Sequence, residues 1–182
     1  MLNRSPNPHP RSHSASGNSQ EGFTLVEVLV AVVILGLGLL GLAGLQAASL
    51  RNNHSAYLRS QATLLTYDMA DRMRANPEAA KNGDYNTAAP ANNAQCFTTG
   101  GCTFTQMAQQ DKFEWAAAVA NAMPSGQAVV CLDSTSDPES GIDAPTFADP
   151  KCDNTGTVYA VKIWWNDDRS NTPQLFVYSF QP

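Results

Sequence analysis

The alternation of apolar and polar positions divides this chain into parts of different character. Residues 1–22 are polar, rich in Ser, Asn and Pro, and show no hydrophobic periodicity. An apolar run follows from Phe23 to Leu45, and Glu27 is the only charged residue in it. The run is about 23 residues long, and a helix needs roughly 20 apolar residues to cross a bilayer. Residues 23–45 are therefore predicted to form a membrane-spanning helix.

The amphipathic pattern of residues 46–75 continues this helix beyond the membrane. Apolar side chains recur on one face at steps of three and four residues. They are Leu58, Ala62, Leu65, Met69 and Met73, and Leu50 and Tyr57 widen the face. The opposite face carries Gln61, Asp68, Asp71, Arg72 and Arg74. Because a residue before proline avoids the helical conformation, Asn76-Pro77 ends a helix that is predicted to start at 23.

Residues 76–182 carry the shorter patterns of a small globular head. The first stretch, 78–101, is rich in Asn, Ala, Gly and Pro and is predicted to be loose. A helix is predicted over 105–122, with Trp115 as its core anchor. Strands are predicted over 127–132, 157–166 and 174–181, and a long loop joins the last two as a hairpin. The predicted fold class is α+β, with one long helix packed against a small antiparallel sheet.

The start of the apolar run carries a specific motif. The stretch GFTLVEVLVA, residues 22–31, resembles the processing site of type IV pilin-like proteins. Further along, LGLLGLAGLQ, CTFTQMAQQDKFEWAAAVANAMPSG and YAVKIWWND are similar to segments of minor pilins of the PilV kind. The resemblance extends over most of the chain after the motif. It implies the type IV pilin fold, in which a long N-terminal helix packs on a small antiparallel sheet.

The resemblance also implies how the chain is processed. A prepilin peptidase cuts between Gly22 and Phe23 in such proteins, so residues 1–22 are expected to be a removable leader. The amine of Phe23 is then expected to be methylated. The alternative is an ordinary signal peptidase acting at Ala47-Ala48-Ser49, which would discard the whole apolar run.

Glu27 has two interpretations. In the first it is a helix-start acid in the second turn, about 6 Å from Phe23 at 1.5 Å per residue, where the helix dipole favours negative charge. In the second it marks a partner, because a carboxylate inside an apolar segment is costly. The resemblance implies that this partner is the Phe23 ammonium of a neighbouring subunit, and that the pair sets axial register. We favour the assembly contact, because the carboxylate and the cleavage motif occur together.

Charge and composition argue against several functions. The chain has 16 acidic and 11 basic residues, a formal net charge of -5, and the part from Asn82 onward has eleven acidic and four basic residues. Nucleic-acid binders carry basic patches, so no nucleic-acid partner is predicted. His54 is the only histidine after the leader, and the sequence has neither a nucleophile elbow nor a phosphate-binding glycine loop. We predict no enzymatic activity, no catalytic residue and no cofactor.

Four cysteines lie beyond the membrane span, at Cys96, Cys102, Cys131 and Cys152. An even number of cysteines in an exported domain indicates disulfides. Of the three pairings that four cysteines allow, we prefer Cys96 with Cys102 and Cys131 with Cys152, because neighbours close the shortest loops. A zinc site is the alternative, but the C-x5-C and C-x20-C spacings lack the close ligand pairs of such sites. No metal site is predicted.

The segment between Cys131 and Cys152 is acidic. Its carboxylates are Asp133, Asp137, Glu139, Asp143 and Asp149. Oxygen ligands at short spacing suit calcium, but this spacing matches no EF-hand. A solvated loop closed by a disulfide is the favoured interpretation, and a calcium site is the alternative.

The resemblance implies a structural protein that primes pilus assembly and so supports twitching motility and surface attachment. Its expected partners are other minor pilins, the major pilin, the prepilin peptidase and the inner-membrane pilus assembly machinery. The expected location is the inner membrane, spanned once with the head in the periplasm, and then the pilus, with its tip as a candidate position. Two alternatives are a minor pseudopilin of a type II secretion system and a membrane-anchored periplasmic adhesin or binding domain that does not polymerise.

Overall fold

The computed structural model describes residues 22–134, 144–167 and 172–182. The chain divides into two compact units, Met1–Gln46 and Ala47–Pro182, and helix α1, Leu25–Ala75, contributes to both. In the second unit one face of α1 is buried, at Leu58, Ala62, Thr66, Met69, Ala70 and Met73. This is the predicted apolar face, with Leu65 half-buried at its margin.

The predicted widening of that face by Leu50 and Tyr57 is wrong. Leu50 is 69% exposed and Tyr57 is 56% exposed. Successive helical residues are about 100° apart around the axis, so Tyr57 points well away from its buried neighbour Leu58. The head covers a narrower arc of the helix than the apolar residues alone suggest.

The segment predicted to be loose, 78–101, contains short helices instead. Helix α2 spans Pro77–Lys81, helix α3 spans Asp84–Thr87, and a 3₁₀ turn spans Ala94–Phe97. Pro77 is tolerated in the first turn of α2, where its missing N–H has no helical partner to lose. Ala79 and Tyr85 are fully buried. These helices are too short to show a hydrophobic period, so the sequence pattern did not predict them.

Helix α4, Phe104–Ala122, was predicted almost to its ends. Thr103 caps it by a capping box: its hydroxyl accepts from the Gln106 backbone N–H, and the Gln106 side chain accepts from the Thr103 N–H. Trp115 is 1% exposed, and its indole N–H donates to the Leu65 carbonyl across 2.8 Å. Trp115 is thus the core anchor that joins α4 to α1.

Three strands form one antiparallel sheet in the order β1-β2-β3. They are β1, Gln127–Leu132, β2, Tyr159–Trp165, and β3, Gln174–Phe180. The central strand β2 is buried along its whole length. Its core face carries Tyr159, Val161, Ile163 and Trp165. The other face lies under residues 144–152, where the Trp164 indole N–H donates to the Pro145 carbonyl across 2.9 Å.

Two disulfides hold the head, and they join the two pairs that we preferred. Cys96 and Cys102 connect the 3₁₀ turn to the start of α4, with Cα atoms 4.7 Å apart. Cys131 and Cys152 have Cα atoms 6.2 Å apart and fasten the covering segment 144–152 to β1. The second disulfide therefore closes the longer loop and holds the cover of β2.

Loss of the longer loop's disulfide should destabilise the head more than loss of the shorter. By loop-closure entropy, Cys131→Ser with Cys152→Ser should cost about 3 kcal/mol, and Cys96→Ser with Cys102→Ser about 2 kcal/mol. Thermal unfolding of the two double variants in detergent, followed by tryptophan fluorescence, measures this order. The opposite order would show that loop closure is not what these disulfides contribute. Peptide mapping under non-reducing conditions checks the pairing.

Candidate functional site

The candidate site lies at the start of α1. Phe23 precedes the helix and is 83% exposed. The Thr24 hydroxyl accepts from the Glu27 backbone N–H across 3.2 Å, and the Thr24 carbonyl accepts from Val28. Glu27 is therefore the third residue of a helix that begins at Leu25, in its first turn. The predicted placement in the second turn is wrong, because Thr24 caps the helix and leaves Phe23 outside it.

The sequence held a signal for this cap. Thr24 and Glu27 have the spacing of a capping box, in which a Thr side chain accepts from the third helical N–H. That half of the motif is present in the described structure. The Glu27 carboxylate also lies where the helix dipole favours an anion. The helix-start interpretation of Glu27 therefore has a local structural basis.

The described residues of the first unit, 22–46, leave their apolar side chains uncovered. All of them are exposed, including Leu25, Val26 and Val28 around Glu27. Helix α1 contains a segment long and apolar enough to cross a membrane, and no part of that segment is buried. Large continuous apolar surfaces mark contact with membranes or with other proteins. Glu27 is thus an ionisable group placed in a surface that must leave water.

Glu27 can make only a few kinds of interaction in such a surface. An ionised carboxylate accepts hydrogen bonds and attracts cations, and it donates nothing. Inside an apolar environment it needs a cationic or strongly donating partner. The structure places no other described ionisable side chain of the first unit near it, since residues 22–46 carry no other charge. A partner for the carboxylate would therefore come from outside this segment.

Of the five carboxylates between the second pair of cysteines, the structure describes Asp133 and Asp149, and each of these pairs with a lysine. Asp137, Glu139 and Asp143 lie outside the described residues. Asp133 is 1% exposed and pairs with Lys162, whereas Asp149 is exposed and pairs with Lys151 across 2.7 Å. The hydrogen bond from Lys151 lowers the pKa of Asp149. Within 22–134, 144–167 and 172–182, no group of three potential metal ligands occurs.

A buried ion pair is the main polar feature that the sequence pattern missed. Lys162 lies in the middle of β2 and is 0% exposed. Its ammonium donates to Asp133 across 2.5 Å and to the Pro150 carbonyl across 2.7 Å. The pair thus ties β2 to the end of β1 and to the segment that covers the sheet. A lysine inside an otherwise apolar strand was the only sign of it in the sequence.

A second polar cluster joins α1, α3 and α4. Arg72 donates to Asp68, Asp111 and Glu114, and Tyr85 donates to Asp111 across 2.6 Å. Burial opposes the charge on Arg72, but the bonds to these carboxylates raise its pKa above the usual value. Burial and the bond to Asp111 likewise raise the pKa of Tyr85. At neutral pH Arg72 therefore stays charged and Tyr85 stays neutral, and their hydrogen bonds join the three helices.

Lys112 is buried beside this cluster on α4. Its ammonium donates to the carbonyls of Tyr85 and Ala88, across 2.9 and 2.6 Å, at the end of α3. Burial lowers the pKa of Lys112 to about 8. Cations near a helix C-terminus satisfy its free carbonyls. Lys112 therefore stabilises the C-terminal end of the short helix α3 inside the head.

Comparison with known families gives two matches. Residues 44–113 match the family model Tt1218-like, described as "Type IV pilin Tt1218". Residues 17–43 match the model described as "Prokaryotic N-terminal methylation motif", which covers the Gly22-Phe23 junction and Glu27. No curated protein and no solved structure is significantly similar to the chain.

The long apolar helix, the small antiparallel sheet and the two disulfides, together with the pilin match, define the type IV pilin fold. Residues 44–113 of the chain are thus similar to type IV pilins, and residues 17–43 carry an N-terminal methylation motif. The pilin match indicates a structural role, and the methylation motif implies prepilin peptidase processing and assembly with pilus machinery in general.

Proposed function

We propose that this chain is a minor pilin of the PilV kind that helps to prime assembly of a type IV pilus. The observation that carries the proposal is the arrangement at the start of α1. An N-terminal methylation motif that includes Gly22 and Phe23, a capped helix and a single carboxylate at Glu27 lie together in an exposed, otherwise uncharged apolar segment. A subunit held only by the membrane needs no carboxylate there, whereas a subunit that stacks on a neighbour's free amine does.

The proposed organisation has four parts. Residues 1–22 are a leader that is removed, 23–45 span the inner membrane once, 46–75 form the amphipathic half of the helix, and 76–182 form the periplasmic head. In the assembled state the chain contacts other minor pilins and the major pilin, with the pilus tip as its proposed position. Through assembly it supports twitching motility and surface attachment.

A minor pseudopilin of a type II secretion system would share the processing junction and Glu27. The match of residues 44–113 to a type IV pilin model favours the pilus instead. A membrane-anchored adhesin that never polymerises would keep the apolar helix but would have no use for Glu27. Recovery of the chain from sheared pili separates the proposed function from both alternatives.

Processing gives the first test of the proposal. We expect the mature protein to begin at Phe23 with a methylated amine, and Gly22→Leu to leave the leader attached. The reason is that the peptidase must accommodate the residue before the cut. Glycine has no side chain there, whereas leucine would place a branched side chain in the same space. Intact mass measurement of the purified chain, followed by sequencing of its N-terminal peptide, measures both.

The matched control for processing is Gly44→Leu, the same substitution placed inside helix α1 and far from the junction. It should be cut normally. A mature chain that begins near Leu50 would show cleavage by signal peptidase and loss of the membrane segment. That result would contradict the pilin proposal.

A further inference from the structure

Two lysines are buried in the described part of the head, and they differ in what surrounds their charge. Lys162 is paired with the Asp133 carboxylate. Lys112, on α4, is 8% exposed, and its ammonium bonds to the carbonyls of Tyr85 and Ala88. Among the described residues it makes no ion pair. Because lysines are almost never buried unless they are paired, Lys112 is the one that calls for a further partner.

The carboxylates next to Lys112 along α4 are engaged elsewhere. Asp111 and Glu114 accept from Arg72, and Asp111 also accepts from the Tyr85 hydroxyl. Burial lowers the pKa of Lys112 to about 8, so its charge is poorly compensated. An ammonium has three N–H donors, and the two carbonyls take two of them. One donor of Lys112 is therefore without a partner among the described residues.

A cavity of about 200 Å³ lies beside Lys112, between α4 and β1. Its lining includes Pro90, Lys112, Trp115, Ala116, Val130 and Phe147. Apart from the lysine, these side chains are apolar or aromatic. Binding pockets for small molecules commonly have such walls, with a few polar groups that orient the ligand.

The cavity has a buried inner wall and an exposed rim. Trp115 and Val130 are each 1% exposed and form the inner wall, whereas Pro90 and Phe147 are exposed. Ala88, whose carbonyl accepts from Lys112, is two residues before Pro90. The ammonium therefore lies toward the rim, and the inner part of the cavity is apolar.

The ligand that suits this arrangement is a small carboxylate with an apolar ring. An engineered cavity of about 150 Å³ with apolar walls binds benzene, so a cavity of about 200 Å³ has room for one ring and a carboxylate. Rings of Trp115 and Phe147 pack favourably against another ring. A single free N–H donor on a cation suits a singly charged oxygen acceptor.

We propose that the cavity between α4 and β1 binds a small carboxylate with one apolar ring, held by the Lys112 ammonium. The carboxylate accepts the third N–H of Lys112 near the rim, and the ring lies inward against Trp115 and Val130. The bound anion supplies the negative charge that the described residues do not place beside Lys112. The site lies within the head, so this inference does not depend on the proposed function of the chain in a pilus.

Titration calorimetry of the full processed chain in a neutral detergent, with benzoate as the probe, tests the site. Benzoate should bind once per chain, and empty micelles titrated in parallel correct for partitioning. Benzamide keeps the ring without the charge and should bind about tenfold more weakly, since charge-assisted hydrogen bonds are the stronger ones. Acetate keeps the charge without the ring and should also bind about tenfold more weakly, because it buries less apolar surface.

Two substitutions place the binding in this cavity. Lys112→Met should weaken benzoate binding about tenfold and leave benzamide binding unchanged, because it removes the charge. Ala116→Leu adds a side chain where the ring would lie and should weaken benzoate binding about tenfold. The matched control is Ala117→Leu, the same substitution at the next residue of α4, which is exposed. It should bind benzoate as the wild-type chain does.

The contrary outcomes are distinct. No binding of benzoate to the wild-type chain would overturn the inference, and so would equal affinities for benzoate and benzamide, which would leave Lys112 only its role at the end of α3. If Lys112→Met does not fold, the two leucine variants still decide, because equal benzoate affinities for Ala116→Leu and Ala117→Leu would place the ligand outside the cavity. None of these results bears on recovery of the chain from sheared pili, so the proposed function is tested separately.

Discussion

Replacement of Glu27 by Ala should give a chain that is still cut after Gly22 and held in the membrane but is missing from sheared filaments. Insertion becomes easier when a charge leaves an apolar segment. Assembly should fail, because loss of one member of a poorly solvated ion pair leaves the other charge unpaired, at a cost of about 3 to 5 kcal/mol. Immunoblots of membrane and pilus fractions, with a twitching assay, measure both steps.

The structure supplies a control that separates charge from helix capping. Thr24→Ala removes the hydroxyl that accepts from the Glu27 N–H and should cost about 1 kcal/mol of local helix stability. It leaves the carboxylate in place, so the variant should still enter filaments. If Glu27→Ala reached wild-type levels in filaments with normal twitching, the carboxylate would be a helix-start acid only.

Replacement of Lys162 by Met should destabilise the head by about 3 to 5 kcal/mol, because the Asp133 carboxylate stays buried after its lysine is removed. Such a loss is a large part of the stability of an ordinary domain. Denaturant unfolding of the full chain in detergent, followed by tryptophan fluorescence, measures it. Trp164 lies under the same covering segment as Lys162, so the fluorescence reports on this part of the head.

Two further variants show whether the buried charge is the cause. The double replacement Lys162→Met with Asp133→Leu removes both charges and should recover most of the lost stability, since apolar pairs of similar volume replace buried ion pairs well. Lys151→Met breaks the exposed pair with Asp149 and should change stability far less. If Lys162→Met, the double variant and Lys151→Met all lost the same unfolding free energy, altered packing and not the buried charge would be the cause.

The elements that could be predicted from the sequence are those set by interactions between residues close together in the chain. The apolar run, the end of α1 at Asn76-Pro77 and the strand β1 follow from patterns within a few residues, and the structure has them where they were predicted. The helix α4 was found for the same reason, because Trp115 and its neighbours share one face. The segment 78–101 was missed, since its helices are shorter than the period that would reveal them.

The N-terminal methylation motif, the single carboxylate of the apolar run and the even cysteine count were determined by the sequence alone, because each depends on residue type and spacing along the chain. The tertiary structure decided which residues distant in the chain contact each other, and sequence patterns do not predict those contacts. It buried Lys162 against Asp133, 29 positions away in the chain, and it joined the end of β1 to Asn86 and Asn154 through the two backbone groups of Leu132. Both results depend on which distant segments meet, and that is set by packing of the whole head.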